Sequence, residues 1–226
     1  MTLTEGRPHT TSITRGLLWC GVVAGPLFIT VFLVEGATRA GYDALRHPVS
    51  SLALGASGWM QVVNFVVAGA LYLAYAAGLR RAPRTVAGTR TGALLVAAAA
   101  IGLLGAGAFI TDPVSGYPPG TPDALGEYTT LGRLHDLFSV LTFLGIPAAG
   151  FAFGRWFRKH GARGWAWYSI GSALAMLLMF VLTSAAFSQV PALVEYGGLL
   201  QRATVSIGFA WLSALAIRTL RRTPDG

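Results

Sequence analysis

Charge is scarce in this chain. Only 12% of its 226 residues are Asp, Glu, Lys or Arg, while 54% are hydrophobic; a water-soluble domain carries roughly 25% charged residues. That scarcity excludes a solvated globular domain, and a mean hydropathy of +0.58 points the same way. Cysteine is nearly absent as well. The single Cys20 lies inside the first apolar run, which excludes an intrachain disulfide and leaves the redox compartment open. Acids are few, nine against seventeen basic residues, for a net charge of +8 and an isoelectric point near 10.4. Such a balance would suit nucleic acid, but the basic residues lie between apolar runs and form no basic face on a folded domain, so no nucleic-acid partner is expected.

What the chain has instead is six continuous apolar runs, near residues 17–34, 59–79, 92–110, 134–153, 165–187 and 198–217. Each approaches the roughly 20 helical residues that a hydrocarbon core requires. Barrel strands would alternate apolar and polar residues, and these runs do not. Helices also satisfy their own backbone hydrogen bonds in lipid. The expected fold is therefore an all-α membrane protein, a six-transmembrane-helix bundle forming one domain over residues 1–226. Pro26 and Pro147 fall inside two runs, where each deletes a backbone donor and should bend its helix. The first run follows Arg7 and Arg15 as a signal peptide would, but no small-residue cleavage site precedes Glu35, so it reads as a retained helix.

Sorting charges by connecting segment orients the bundle. Thirteen of the seventeen basic residues fall at the chain ends and in the connections at 80–90 and 155–163. The alternate connections hold only Arg39, Arg46, Arg133 and Arg202, with seven of the nine acids. Because cytoplasmic loops retain Lys and Arg, both termini are expected in the cytoplasm and the protein in the cell membrane.

The outer connections then gather the polar chemistry. The first holds Glu35, Asp43, Arg46, His47, Ser50 and Ser51. If the segment is helical, Asp43 and His47 share a face, where the carboxylate would orient the imidazole or both would hold a metal. Ser50 or Ser51 is a candidate cap for a short helix leading to Trp59. The second connection is proline-rich, a candidate lid, and starts with Asp112. At the end of a helix, that carboxylate needs a donor or cation, with Arg39, Arg46, Arg133 and Arg202 available. The fourth run opens with His135 and Asp136, and His135, Ser139 and Thr142 make a polar stripe that should face the bundle interior. Gln61 and Asn64 on the second run and Arg202 on the sixth complete the set; Arg202 is also placed to snorkel toward headgroups.

His47, Asp112 and His135 match the ligand types of zinc or a similar divalent metal, whose bound water could hydrolyse a lipid ester or amide. Asp43 and Ser50 would assist as catalytic groups, with Glu35, Arg46, Gln61, Asn64, Asp136 and Arg202 as binding residues. A salt-bridged network without metal would use the same side chains. Membrane lipids are the expected partners in either case.

The stretch Gly-Tyr-Asp43-Ala-Leu-Arg-His47-Pro-Val-Ser50-Ser-Leu, followed by Gly-Trp59-Met-Gln61-Val-Val-Asn64-Phe, resembles the bacterial membrane-protein family called domain of unknown function 998. The later Thr-Asp112-Pro, Gly-Tyr-Pro-Pro-Gly and Leu-His135-Asp136-Leu segments extend the likeness over nearly the whole chain. It implies a multi-helix membrane protein and supplies no reaction. A looser likeness is to membrane hydrolases of the alkaline-ceramidase type, in which a serine, an aspartate and histidines surround zinc within seven helices. Those use three histidine ligands, whereas only His47 and His135 lie on the relevant face here, so Asp112 would have to complete a site. The functional expectation is a lipid-directed hydrolase, with a non-enzymatic lipid-binding or scaffold protein as the alternative. A transport path is disfavoured because the inner half of the runs is almost wholly apolar.

Overall fold

The computed structural model describes residues 8–124 and 126–223. Arg7, counted above among the basic residues, lies outside them. The chain forms α1 (Pro8–Thr38), α2 (Trp59–Arg81), a single turn α3 (Arg84–Ala87), α4 (Arg90–Ala108), α5 (Thr130–Lys159), α6 (Arg163–Phe187) and α7 (Gly197–Arg222). All but α3 are long and apolar enough to cross a membrane. No β-strand occurs among the described residues. The expected six-helix membrane bundle is the observed architecture. Helices α1 and α5 outrun their apolar stretches, because backbone geometry rather than hydropathy ends a helix: α5 begins where the Thr129 side chain accepts from the Gly132 N–H.

The six spanning helices form a closed ring in chain order. Each packs on its sequence neighbour, and α7 returns to pack on α1. Short connections dictate this order, since they leave consecutive helices antiparallel and adjacent. Ring closure brings the first turns of α1 against the end of α7, with Arg15 Nη1 donating to the Thr223 carbonyl at 2.8 Å. Arg80, Arg81, Arg158, Lys159, Arg221 and Arg222 occupy the last turns of α2, α5 and α7 at this same end. The opposite end carries the connections 39–58, 109–129 and 188–196 and is called the capped end below.

Polar side chains inside the ring bond across helix pairs. Pro26 has no N–H for the Val22 carbonyl, and Ser213 on α7 lies 3.3 Å from the Gly21 and 3.4 Å from the Val22 oxygen, supplying a donor where the proline removed one. Trp211 donates to Ser169 at 3.1 Å and Thr142 to the Ala99 carbonyl at 3.0 Å. Bonds of this kind contribute about 0.6 kcal/mol each in a bilayer. Toward the basic end the ring interior is filled by Tyr72, Tyr75, Phe153, Phe157 and Trp211, all buried. Outward-facing Leu174, Leu178 and Val181 leave α6 the most exposed of the spanning helices, as lipid contact demands.

Candidate functional site

At the capped end the ring interior opens into a cavity of about 310 Å³, and all six spanning helices contribute to its wall. Its roof is the Pro48–Ser50 segment and residues 111–114. Its floor is aromatic: Phe28 lies 5.3 Å from both Phe65 and Phe209, ring centre to ring centre. His135, Asp112, Asp136, Ser139 and Thr142 line it together, so the stripe expected on the fourth run does face inward.

Two helix ends build the polar part of this wall. The last carbonyls of α4 have no partner within their own helix. His135 Nδ1 lies 3.0 Å from the Ala106 oxygen and 2.8 Å from the Phe109 oxygen. Carbonyls only accept, so Nδ1 carries a proton and, in the neutral ring, the lone pair sits on Nε2. Conversely, Asp112, just beyond α4, serves the start of α5: it accepts the Thr129 N–H at 2.8 Å and the Thr129 hydroxyl at 2.7 Å. The expected arginine partner of Asp112 is therefore replaced by Thr129 and the positive end of α5. Gly132 makes room for this, because a Cβ there would fall on the Asp112 carboxylate. Asp136 stands at the exposed rim of the cavity.

The remaining polar residues form the cap itself. Arg202 is buried and does not snorkel. Its guanidinium donates to the carbonyls of Ala44 (2.6 Å), His47 (3.2 Å) and Gly198 (3.0 Å) and to the Tyr42 hydroxyl (2.6 Å). It lies 5.7 Å from the Phe32 ring centre and 5.5 Å from that of Tyr42. Arg46 ties three connections together: it donates to Asp123 at 2.8 Å, to Glu195, and to the Ser115 carbonyl at 3.1 Å. Tyr42, His47 and Tyr117 pack as a triad with ring centres 5.1 to 5.4 Å apart. The proline-rich connection is thus a fixed part of a folded cap.

Asp43 and His47 do not form a carboxylate–imidazole pair, because their segment is a turn rather than a helix. His47 Nδ1 accepts the backbone N–H of Asp43 at 2.8 Å, and the Asp43 carboxylate accepts from Leu45 N–H at 2.8 Å. Burial holds the His47 imidazole below the ordinary histidine range, aided by Arg46 and Arg202 and opposed by Asp43 and the Ser115 backbone. With its ring committed to the cap, His47 does not line the cavity that His135 and Asp112 share. Among the described residues no group of three His, Cys, Asp or Glu side chains is placed to hold a metal ion. Ser50 lines the roof and hydrogen-bonds neither histidine, and neither Ser50 nor Ser51 caps the following helices.

Gln61 and Asn64 are buried against α1: Asn64 donates to the Phe28 carbonyl at 3.1 Å and to Gln61 Oε1 at 3.2 Å. Glu35, near the end of α1, pairs at 3.2 Å with Arg39 just beyond it. Neither group lines the cavity. Sequence reasoning missed Gln201, whose Oε1 receives the Val49 N–H at 2.7 Å and anchors the roof to α7. It also missed Tyr128, at the cavity edge. The polar Gln201 beside Arg202 in a spanning run was the available signal for the first.

The family described as Protein of unknown function (DUF998) matches residues 22–218. The chain belongs to this family. The match takes in all the cavity-lining residues, and the likeness read from the Asp43–Ser50 and His135–Asp136 segments agrees with it. No curated protein and no solved structure matches the chain.

Proposed function

We propose that this member of the DUF998 family binds a membrane amphiphile in the capped-end cavity. The polar group sits at His135, Asp112 and Asp136, and the chain lies along Phe65, Phe143 and Phe180. One observation carries the reading. The cavity wall between α5 and α6 includes residues exposed on the bundle surface, among them Val140 on α5 and Ser184 on α6. Lower down the two helices are in tight contact, where a Cβ added at Gly150 would lie 3.0 Å from that of Ala173. Pro147 stands between these two regimes and removes the α5 hydrogen bond that would stiffen the junction. A chain could therefore enter sideways from lipid, while the headgroup reaches buried acceptors. With the basic end in the cytoplasm, the cavity opens to the outer leaflet of the cell membrane.

The test is lipid retention. Protein purified in a neutral detergent should co-purify with a lipid detectable by native mass spectrometry, and Ser139→Phe, which fills the cavity, should lose it while keeping the wild-type helical circular dichroism and monodisperse elution. Equal retention by Ser139→Phe would overturn the reading.

A hydrolytic version has one observation in its favour: His135 presents Nε2 as a base in the cavity. There it could take a proton from water attacking an ester or amide carbonyl. Fatty-acid release from a bound ester, lost in His135→Asn, would establish this version; absence of release over hours would leave binding alone.

A further inference from the structure

The cavity has a charge sign. Asp112 and Asp136 line it, and among the described residues no Arg or Lys does. The arginines at this end are engaged elsewhere: Arg39 with Glu35, Arg46 with Asp123 and Glu195, and Arg202 with backbone carbonyls. Arg133 does not line the cavity. An acidic pair alone would signify little, but His135 adds an independent observation. It is 3% exposed, its Nδ1 is consumed by the α4 carbonyls, and its Nε2 has no hydrogen-bond partner among the described residues while the ring lines the cavity. The ionisable acceptors at this end of the cavity are thus two carboxylates and one imidazole lone pair, set among the neutral side chains of Ser50, Thr111, Ser139 and Gln201. Tyr128, half exposed, supplies an aromatic ring at the same edge.

We infer that the amphiphile is an amine, whose protonated headgroup donates to His135 Nε2 and to the carboxylates of Asp136 and Asp112. This rests on the amphiphile-binding reading above and adds the headgroup class to it. A primary ammonium has three N–H donors, a match in kind for these three acceptors, and an aromatic edge favours a cation further. A free phosphate or carboxylate headgroup would meet two like charges in a partly desolvated space and no cation, which disfavours phosphate monoesters and fatty acids.

The experiment holds the chain constant and varies the headgroup. Dodecylamine, dodecanol, dodecanoate and dodecyl phosphate are titrated by calorimetry into wild-type protein in neutral detergent near neutral pH, with Ser139→Phe correcting for partition into micelles. Dodecylamine should bind wild type about tenfold or more tighter than dodecanol, as expected for a charge–charge contact at intermediate dielectric. Asp136→Asn, at the exposed rim and therefore expected to fold, should bring the two within about twofold while dodecanol still binds. Dodecanoate or dodecyl phosphate binding as tightly as the amine would overturn the headgroup inference and leave amphiphile binding standing. So would an amine preference that Asp136→Asn and His135→Asn both leave unchanged. Failure of all four to bind in a manner sensitive to Ser139→Phe would overturn both.

Discussion

Thr129 donates twice to Asp112, through its N–H at 2.8 Å and its hydroxyl at 2.7 Å, and this pairing fixes the start of α5 against the end of α4. Gly132 is the residue that permits it. Gly132→Ala should displace the carboxylate and lower stability by about 1 to 2 kcal/mol, the range for losing a helix N-cap. Thermal unfolding in detergent measures this, and an unchanged melting temperature would show that the contact can relax without loss.

His135 has two separable duties, and two substitutions divide them. His135→Ala removes the donor to the Ala106 and Phe109 carbonyls and should destabilise by about 1 to 3 kcal/mol, the penalty for orphaned buried polar groups. His135→Asn keeps an N–H near the Nδ1 position and should recover most of that stability, yet it lacks a lone pair where Nε2 stood. Ligand binding should fall in both variants while stability falls chiefly in the first.

Arg202 is a buried cation with no carboxylate partner among the described residues, held by three carbonyls and a tyrosine hydroxyl. Arg202→Ala should destabilise by about 1 to 3 kcal/mol for each buried carbonyl left without a donor, less whatever water recovers. Arg202→Lys should recover little, since one ammonium cannot reproduce the planar fork. Hydrogen exchange at residues 42–48 would report the loosened cap directly.

The cap should weaken in acid. An unfolded His47 titrates near 6.5, and the folded ring titrates lower, so between these values the unfolded chain binds the extra proton. Stability from neutral His47 is therefore complete above about pH 6.5 and is lost as pH falls through the folded value, at about 1.4 kcal/mol per unit of separation. Protonation would also break the bond from the Asp43 N–H to Nδ1. Melting temperatures measured on the acid side of neutrality should fall more steeply for wild type than for His47→Asn; parallel profiles would refute the assignment.

Arg46 should matter more for order than for stability. Its partners Asp123 and Glu195 are both 60% exposed, and surface pairs contribute roughly 0 to 1 kcal/mol. Arg46→Ala should therefore leave the melting temperature almost unchanged while raising hydrogen exchange at 114–123 and 193–199. High salt should partly mimic the substitution.

Parts of the site were legible before the fold. The inward stripe of His135, Ser139 and Thr142 followed from helical spacing, because lipid rejects polar side chains whatever the neighbouring helices are. The roles of His47, Asp43 and Arg46 were not legible. Their spacing suited a short helix, but Pro48 and the Asp43 carboxylate bonding to Leu45 N–H favour a turn. Gln61 and Asn64 are polar residues on a spanning helix like Ser139, yet they serve the α1–α2 contact, and nothing local distinguishes a polar side chain facing a neighbour from one facing a cavity.

The amino-acid sequence by itself determined that the chain crosses a membrane six times and which of its segments share the basic end. Both properties are sums of local terms: transfer free energy along a run and charge beside it. Only the tertiary structure decided that the helices close into a ring, that His47 belongs to the cap while His135 belongs to the cavity, and that Asp112 answers to Thr129 rather than to an arginine. Those outcomes depend on contacts between distant segments, such as Arg46 with Glu195, and hydropathy carries no information about which polar groups meet.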